Sequence, residues 1–179
     1  MVAIIALLIT LVGIGVSLIV GPGIIEKSMN IVLEHPPYKI SQAAQKKHDG
    51  LIIMDWHSDS LLWNRNLLKR AKYGHMDIPR LAEGNVAIQM FTAVTKSPKG
   101  QNYESNTAES DRITSLAIAQ LWPPATWSSL YERALYQSRK LHDFASRTPE
   151  RIFESPVSVE RFGIQEIQNT TAESFYGGL

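Results

Sequence analysis

The chain has 179 residues, of which 44% are apolar and 20% charged, a composition that supports one globular domain with its own core. A formal net charge of +1, without a basic stripe interleaved with aromatics, gives no ground for a nucleic-acid partner. With no cysteine there is no disulfide, thiolate metal site or cysteine nucleophile, so any metal must be held by nitrogen and oxygen donors.

Residues 1–25 carry no charged side chain, and Val2 to Val20 are apolar apart from Thr10, Ser17 and glycines. As a helix that stretch would reach about 28 Å, close to the hydrocarbon thickness of a bilayer. A buried core helix fits poorly, because every face is apolar and the segment stands at the terminus. Residues 1–25 are therefore expected to be a transmembrane anchor or a signal segment. The start lacks Lys and Arg, and Gly13-Ile-Gly15 lies inside the apolar run instead of after it, which favours an uncleaved anchor over a cleaved signal. Lys27, Lys39, Lys46 and Lys47 all follow the segment, and the positive-inside rule read alone would put the domain in the cytoplasm. The charge pattern leaves orientation open. The expected location is membrane-anchored with the domain on the periplasmic or extracellular face.

Gly21-Pro22-Gly23 punctuates the end of the apolar segment and His35-Pro36-Pro37 makes a second break. Residues 26–50 read as a linker with one short helix, Gln42 to His48, capped by Ser41 and closed by Gly50. His35 and His48 read as surface residues.

Gly50 opens the most informative stretch, Leu51-Ile-Ile-Met-Asp-Trp-His-Ser-Asp59. Leu51 to Met54 are an uninterrupted apolar run, the pattern of a strand covered on both faces in a parallel sheet. If the strand continues through Asp59, its period of two sends Asp55, His57 and Asp59 to one face. An imidazole and a carboxylate then converge at the C-terminal end of a strand, where α/β barrels keep their chemistry. From the residues alone, this is half a metal site or a core His hydrogen-bonded to an Asp.

The second triplet, His75-Met76-Asp77, leads into Ile-Pro79, and Asp77 is expected to cap a short helix with Pro79 in its first turn instead of binding a metal. Gly84-Asn85 ends that helix, and Val86 to Val94 form a second strand in which Gln89 meets a buried partner or faces the barrel interior. Lys96 to Asn106 is an exposed loop. Ser105 or Asn106 is expected to cap a helix that carries Ile113, Leu116 and Ala117 and stops at Pro123-Pro124. Thr126 or Ser128 opens a longer helix with an apolar stripe through Leu130, Ala134, Leu141 and Ala145, ended by Pro149, with His142 on its surface. A short extended piece over 151–154, a helix from Val159 through Ile167 capped by Ser158, and a glycosylation triplet at Asn169 complete the pattern.

Taken together, Asp55-Trp-His57-Ser-Asp59 with Leu62-Trp63, then His75-x-Asp77-Ile-Pro79-Arg-Leu81, then Gly84-Asn-Val-x-x-Gln89-x-Phe91 resemble the amino-terminal part of the membrane dipeptidases, the M19 metallopeptidases similar to renal dipeptidase. The loop Thr95 to Gly100 and the segment Leu121 to Trp127 look like the bacterial branch. The resemblance implies an α/β fold, the N-terminal part of a (β/α)8 metallo-hydrolase barrel preceded by the anchor helix. It implies two zinc ions bridged by a glutamate and a hydroxide that attacks the peptide bond of a dipeptide, with His57 and Asp59 as ligands of one zinc. Asp55, on the same strand face, reads equally as a group orienting a ligand or as a plain buried hydrogen-bonding residue. The implied partners are a dipeptide substrate, the membrane through the N-terminal segment, and a second copy of the full-length protein in a homodimer.

The chain departs from that pattern in extent. No His follows His142, the bridging glutamate is not identifiable, and such a barrel needs about 250 residues. Residues 51–179 therefore read as the first part of a truncated dipeptidase barrel, with no complete site and no activity alone. Two rival readings stand beside this one. The chain could be a membrane-tethered noncatalytic binding or structural module, or another metal-dependent amidohydrolase, although those usually offer His-x-His where this chain offers His-x-Asp.

Overall fold

In the computed structural model, residues 1–105, 107–149 and 152 are described, and they fall into two compact units, Met1–Thr92 and Ala93–Leu179. The expected extended piece over 151–154, the helix after Ser158 and the Asn169 triplet lie outside the described residues, Ile152 excepted.

The first unit begins with helix α1, Val2–Met29. It is long and apolar enough to cross a membrane, and none of its most apolar window is buried against protein. It does not stop at Gly21-Pro22-Gly23, as the turn-forming pattern implies. A proline keeps helical φ and removes one N–H, and a single such loss is tolerated when the turn beyond it is held. Here that turn carries Glu26, 2% exposed, whose Oε1 lies 3.3 Å from Nε of Arg65. Helix α2, Gln42–Asp49, has the expected cap, with Ser41 Oγ accepting from the Ala44 N–H and Gly50 following the last turn.

Strand β1, Ile53–Ser58, and strand β2, Val86–Phe91, form a parallel pair. The register places Ile53 against Val86, Asp55 against Gln89 and Ser58 against Phe91, with an irregularity between Asp55 and Ser58. The strand opens at Ile53, two residues later than the apolar run, and it is not covered on both faces. Among the described residues Ile52 is 78% exposed and Trp56 63% exposed. A pair of strands alone offers no second layer against which to bury these side chains.

Between the strands the chain makes a 3-10 turn, Ser60–Leu62, and helix α3, Ile78–Glu83. Leu61, Trp63 and Leu67 are the buried apolar side chains of this crossover. Asp77 caps α3 as the sequence implies. It is fully buried, accepts from the Arg80 and Ala71 N–H groups, and pairs with the Arg80 guanidinium.

The second unit packs helix α4, Arg112–Ala119, a 3-10 turn, Pro124–Trp127, and helix α5, Leu130–Arg147. The cap of α4 is Asp111, not Ser105; its Oδ1 accepts from Ile113 N–H at 2.9 Å. The Ser105 N–H is used instead in a turn closed by the Asn102 side chain. The opening of α5 also moves. Pro123-Pro124 draw Thr126 into the 3-10 turn, and Ser129, three residues before Glu132, takes the cap.

The buried centre of this unit is polar as well as apolar. Ile113, Ala117, Trp122, Ala134, Phe144 and Ala145 are buried here, and so is Arg133, which donates to the carbonyls of Thr126, Thr95 and Trp127, to Thr114 Oγ1 and to the Asp111 carboxylate. Gln137, fully buried, brackets Val94 by accepting from its N–H and donating to its carbonyl, as a neighbouring strand would.

Candidate functional site

The candidate site lies within the first unit, where β1 ends. The strand stops at Ser58, so Asp59 does not share the His57 face through strand period, contrary to the simple alternation. Asp59 instead turns into the 3-10 segment with φ −86° and ψ 17°, and that turn carries its carboxylate back over the strand end. The outcome is the convergence the sequence implies, reached by a different route. His57 Nε2 and Asp59 Oδ1 lie 3.2 Å apart, and their side chains are 68% and 47% exposed.

Four neighbours hold the chain around this pair. Thr92, just past β2, donates its hydroxyl to Asp59 Oδ1, and its N–H donates to the Ser58 carbonyl, which locks the ends of the two strands at one level. Asp55 Oδ1 accepts from the His57 backbone N–H at 3.2 Å, so its hydrogen bond fixes the strand rather than the imidazole. Ser58 and Ser60 share a hydroxyl hydrogen bond of 2.9 Å across the same turn.

Gln89 stands opposite Asp55 in the register. Its Nε2 donates to the Asp55 carbonyl at 3.4 Å and the Met90 carbonyl at 3.1 Å, while its Oε1 is buried and accepts no hydrogen bond among the described residues. Sequence reasoning singled out Gln89 without choosing its partner. It missed Thr92 altogether, and the available signal was its place at the end of the second strand, at the level of Asp59 once the strands are paired in parallel.

Among the described residues, no other histidine joins His57 and Asp59 in a group of three. His35 stacks on Tyr38 with ring centroids 4.5 Å apart, His48 lies 3.9 Å from Asp49, and His75 and His142 are exposed. Among the described residues no group of three His, Asp or Glu side chains comes together.

The donor set can be tested against zinc. Two ligands on a tetrahedral ion with bonds of about 2.0–2.1 Å are separated by about 3.3 Å. The 3.2 Å between His57 Nε2 and Asp59 Oδ1 matches that edge, and imidazole with carboxylate is a zinc-compatible pair. The same distance is also a hydrogen-bond length. The fit is in type and spacing for two positions of four.

Comparison with protein-family models, with curated proteins and with solved structures returns no match for this chain.

Proposed function

We propose that this chain contributes the first two zinc ligands, His57 and Asp59, of a membrane-anchored metallo-hydrolase of the dipeptidase type. The observation that carries this reading is the 3.2 Å approach of His57 Nε2 to Asp59 Oδ1 at the C-terminal end of a parallel strand, with both groups open to solvent. A zinc ion held there supplies electrophilic activation of water and of a scissile amide carbonyl.

The chain's own residues do the positioning. Thr92 spends its hydroxyl on the Asp59 oxygen nearest His57, which directs the remaining lone pairs of that carboxylate. The exposed faces of β1 and β2 support the further reading of the pair as the opening strands of a (β/α)8 barrel, because those faces need covering strands and helices. The helix Val2–Met29 would tether that barrel to a membrane, with the domain on the periplasmic or extracellular side.

Zinc binding and turnover test the proposal separately. Titration of the full chain with Zn²⁺ should show a weak site lost in Asp59→Ala and in His57→Ala. Dipeptide hydrolysis in excess zinc should be absent, since two donors do not complete a catalytic site. Equal zinc affinity in the parent and both variants would remove the ligand assignment, and turnover abolished by His57→Ala would show that the site is complete.

A further inference from the structure

The segment that leaves the apolar helix is exposed along its length and rich in apolar side chains. Val2 to Ile25 are 24 residues, about 36 Å of helix, against a hydrocarbon core of about 30 Å. A span of that length delivers Glu26 to the headgroup level. There Arg65 reaches it, and the same guanidinium donates to the carbonyls of Tyr73 and Met76. The Asn30 carbonyl accepts from the Gly74 N–H at 2.9 Å, so the loop around Tyr73 is fastened to the end of the helix at two points. Gly74 has φ +76°, and a Cβ there would collide with the Arg65 guanidinium, so the close approach depends on glycine.

Beyond this clamp the chain runs extended and irregular through Ile40, and every residue from Ile31 to Ile40 is exposed. Five of those ten are large and apolar or aromatic: Ile31, Val32, Leu33, Tyr38 and Ile40, with Leu33 80% and Tyr38 75% exposed. Water is a poor solvent for such a run, and a soluble surface seldom carries one. Residues 27–49 also hold four lysines against two acids, Glu34 and Asp49. Apolar side chains with an aromatic at the boundary and lysines beside them are the composition that settles into the headgroup region of an anionic bilayer.

We propose that residues 31–40 form a second membrane contact, an interfacial segment inserted among anionic headgroups, with Lys39, Lys46 and Lys47 binding phosphate and the Glu26–Arg65 pair setting its height. The proposal rests on reading Val2–Met29 as a membrane span. It would fix the first unit's orientation to the bilayer instead of leaving it on a free tether.

The absence of cysteine makes the test direct. Single variants Ile31→Cys, Leu33→Cys, Ile40→Cys and Leu11→Cys of the full chain are spin-labelled and reconstituted in vesicles containing phosphatidylglycerol. Label depth is then read from oxygen and nickel-complex accessibilities, calibrated with lipids labelled at known depths. The expected result is Leu11 near the bilayer centre and residues 31, 33 and 40 within about 5–10 Å of the headgroup–acyl boundary. Aqueous labels at 31, 33 and 40 with Leu11 in the bilayer would overturn the interfacial segment alone. An aqueous Leu11 label would overturn the span and the proposal together. Combined Lys39→Glu, Lys46→Glu and Lys47→Glu should move the Ile40 label outward, and an unmoved label would overturn the headgroup role of the lysines.

Discussion

Thr92 Oγ1 donates to Asp59 Oδ1, the same oxygen that stands 3.2 Å from His57 Nε2. One carboxylate oxygen thus links Thr92, just past β2, to the imidazole of His57 on β1. In the proposed zinc site Thr92 would act behind the ligand Asp59, and removal of such a hydroxyl typically lowers metal affinity by about 10–100-fold. Thr92→Val, which keeps the shape and deletes the donor, should therefore weaken zinc binding by about tenfold or more. Thr92→Ser should restore most of it. Calorimetric titration with Zn²⁺ distinguishes them, and equal affinities for all three proteins would leave Thr92 with a purely structural role.

Much of the local structure was legible in the sequence because its causes are local. Ser41 and Asp77 cap the helices that their spacing implies, since a cap needs only an N–H two or three residues away. The two strands were legible as apolar runs on either side of a capped helix, while their parallel pairing comes from the structure. The misreadings share one physical origin, which is that distant residues choose between local options of similar strength. Asp111 prevails over Ser105 as the cap of α4 because Arg133, 22 residues on, bonds to its second oxygen. Helix α1 runs through Gly21-Pro22-Gly23 where Arg65 meets Glu26, a contact between residues 39 positions apart. The His57–Asp59 convergence was legible as chemistry, but its mechanism was not. It depends on a turn at Asp59 and on Thr92, which no single-strand periodicity contains.

Arg133 is the side chain on which the second unit depends most. It is 1% exposed, and three backbone carbonyls, one hydroxyl and one carboxylate take its donors. Arg133→Ala removes all five of those hydrogen bonds and the cation beside Asp111 and should cost about 3–5 kcal/mol, enough to unfold a marginal unit. Arg133→Lys should recover little, because an ammonium cannot span a planar array of five N–H donors. Urea unfolding followed by near-UV circular dichroism of the Trp122–Tyr136 contact, 4.8 Å between ring centroids, reads this directly. A stable Arg133→Lys variant would contradict the argument.

Ser129 offers a milder test of how α5 starts. Its hydroxyl accepts from the Glu132 N–H at 3.2 Å, and the Glu at the third position fits a capping box. Ser129→Ala should lower stability by about 1 kcal/mol, and Ser129→Asp should be close to neutral. The alternative cap, Ser128→Ala, should change stability by less than about 0.5 kcal/mol. Equal losses at 128 and 129 would show that the cap is shared.

Asp111 gives the second unit an acid-sensitive contribution whose sign can be worked out. Burial by itself would raise this carboxyl, but hydrogen bonds from Arg133, from the Ile113 and Ser97 N–H groups and from Thr114 outweigh it and hold the group below the ordinary carboxylate range. The unfolded chain therefore binds the proton more readily than the folded one. Stability from this group is fully present above the unfolded carboxylate value and is lost as pH falls through the lower folded value. The parent should lose stability on acidification from about pH 5 to below pH 4, and Asp111→Asn should be less stable at neutral pH but flatter across that window. Urea midpoints measured at a series of pH values decide the point. Parallel pH profiles for parent and variant would mean that the Arg133–Asp111 pair adds nothing that depends on the carboxylate's charge.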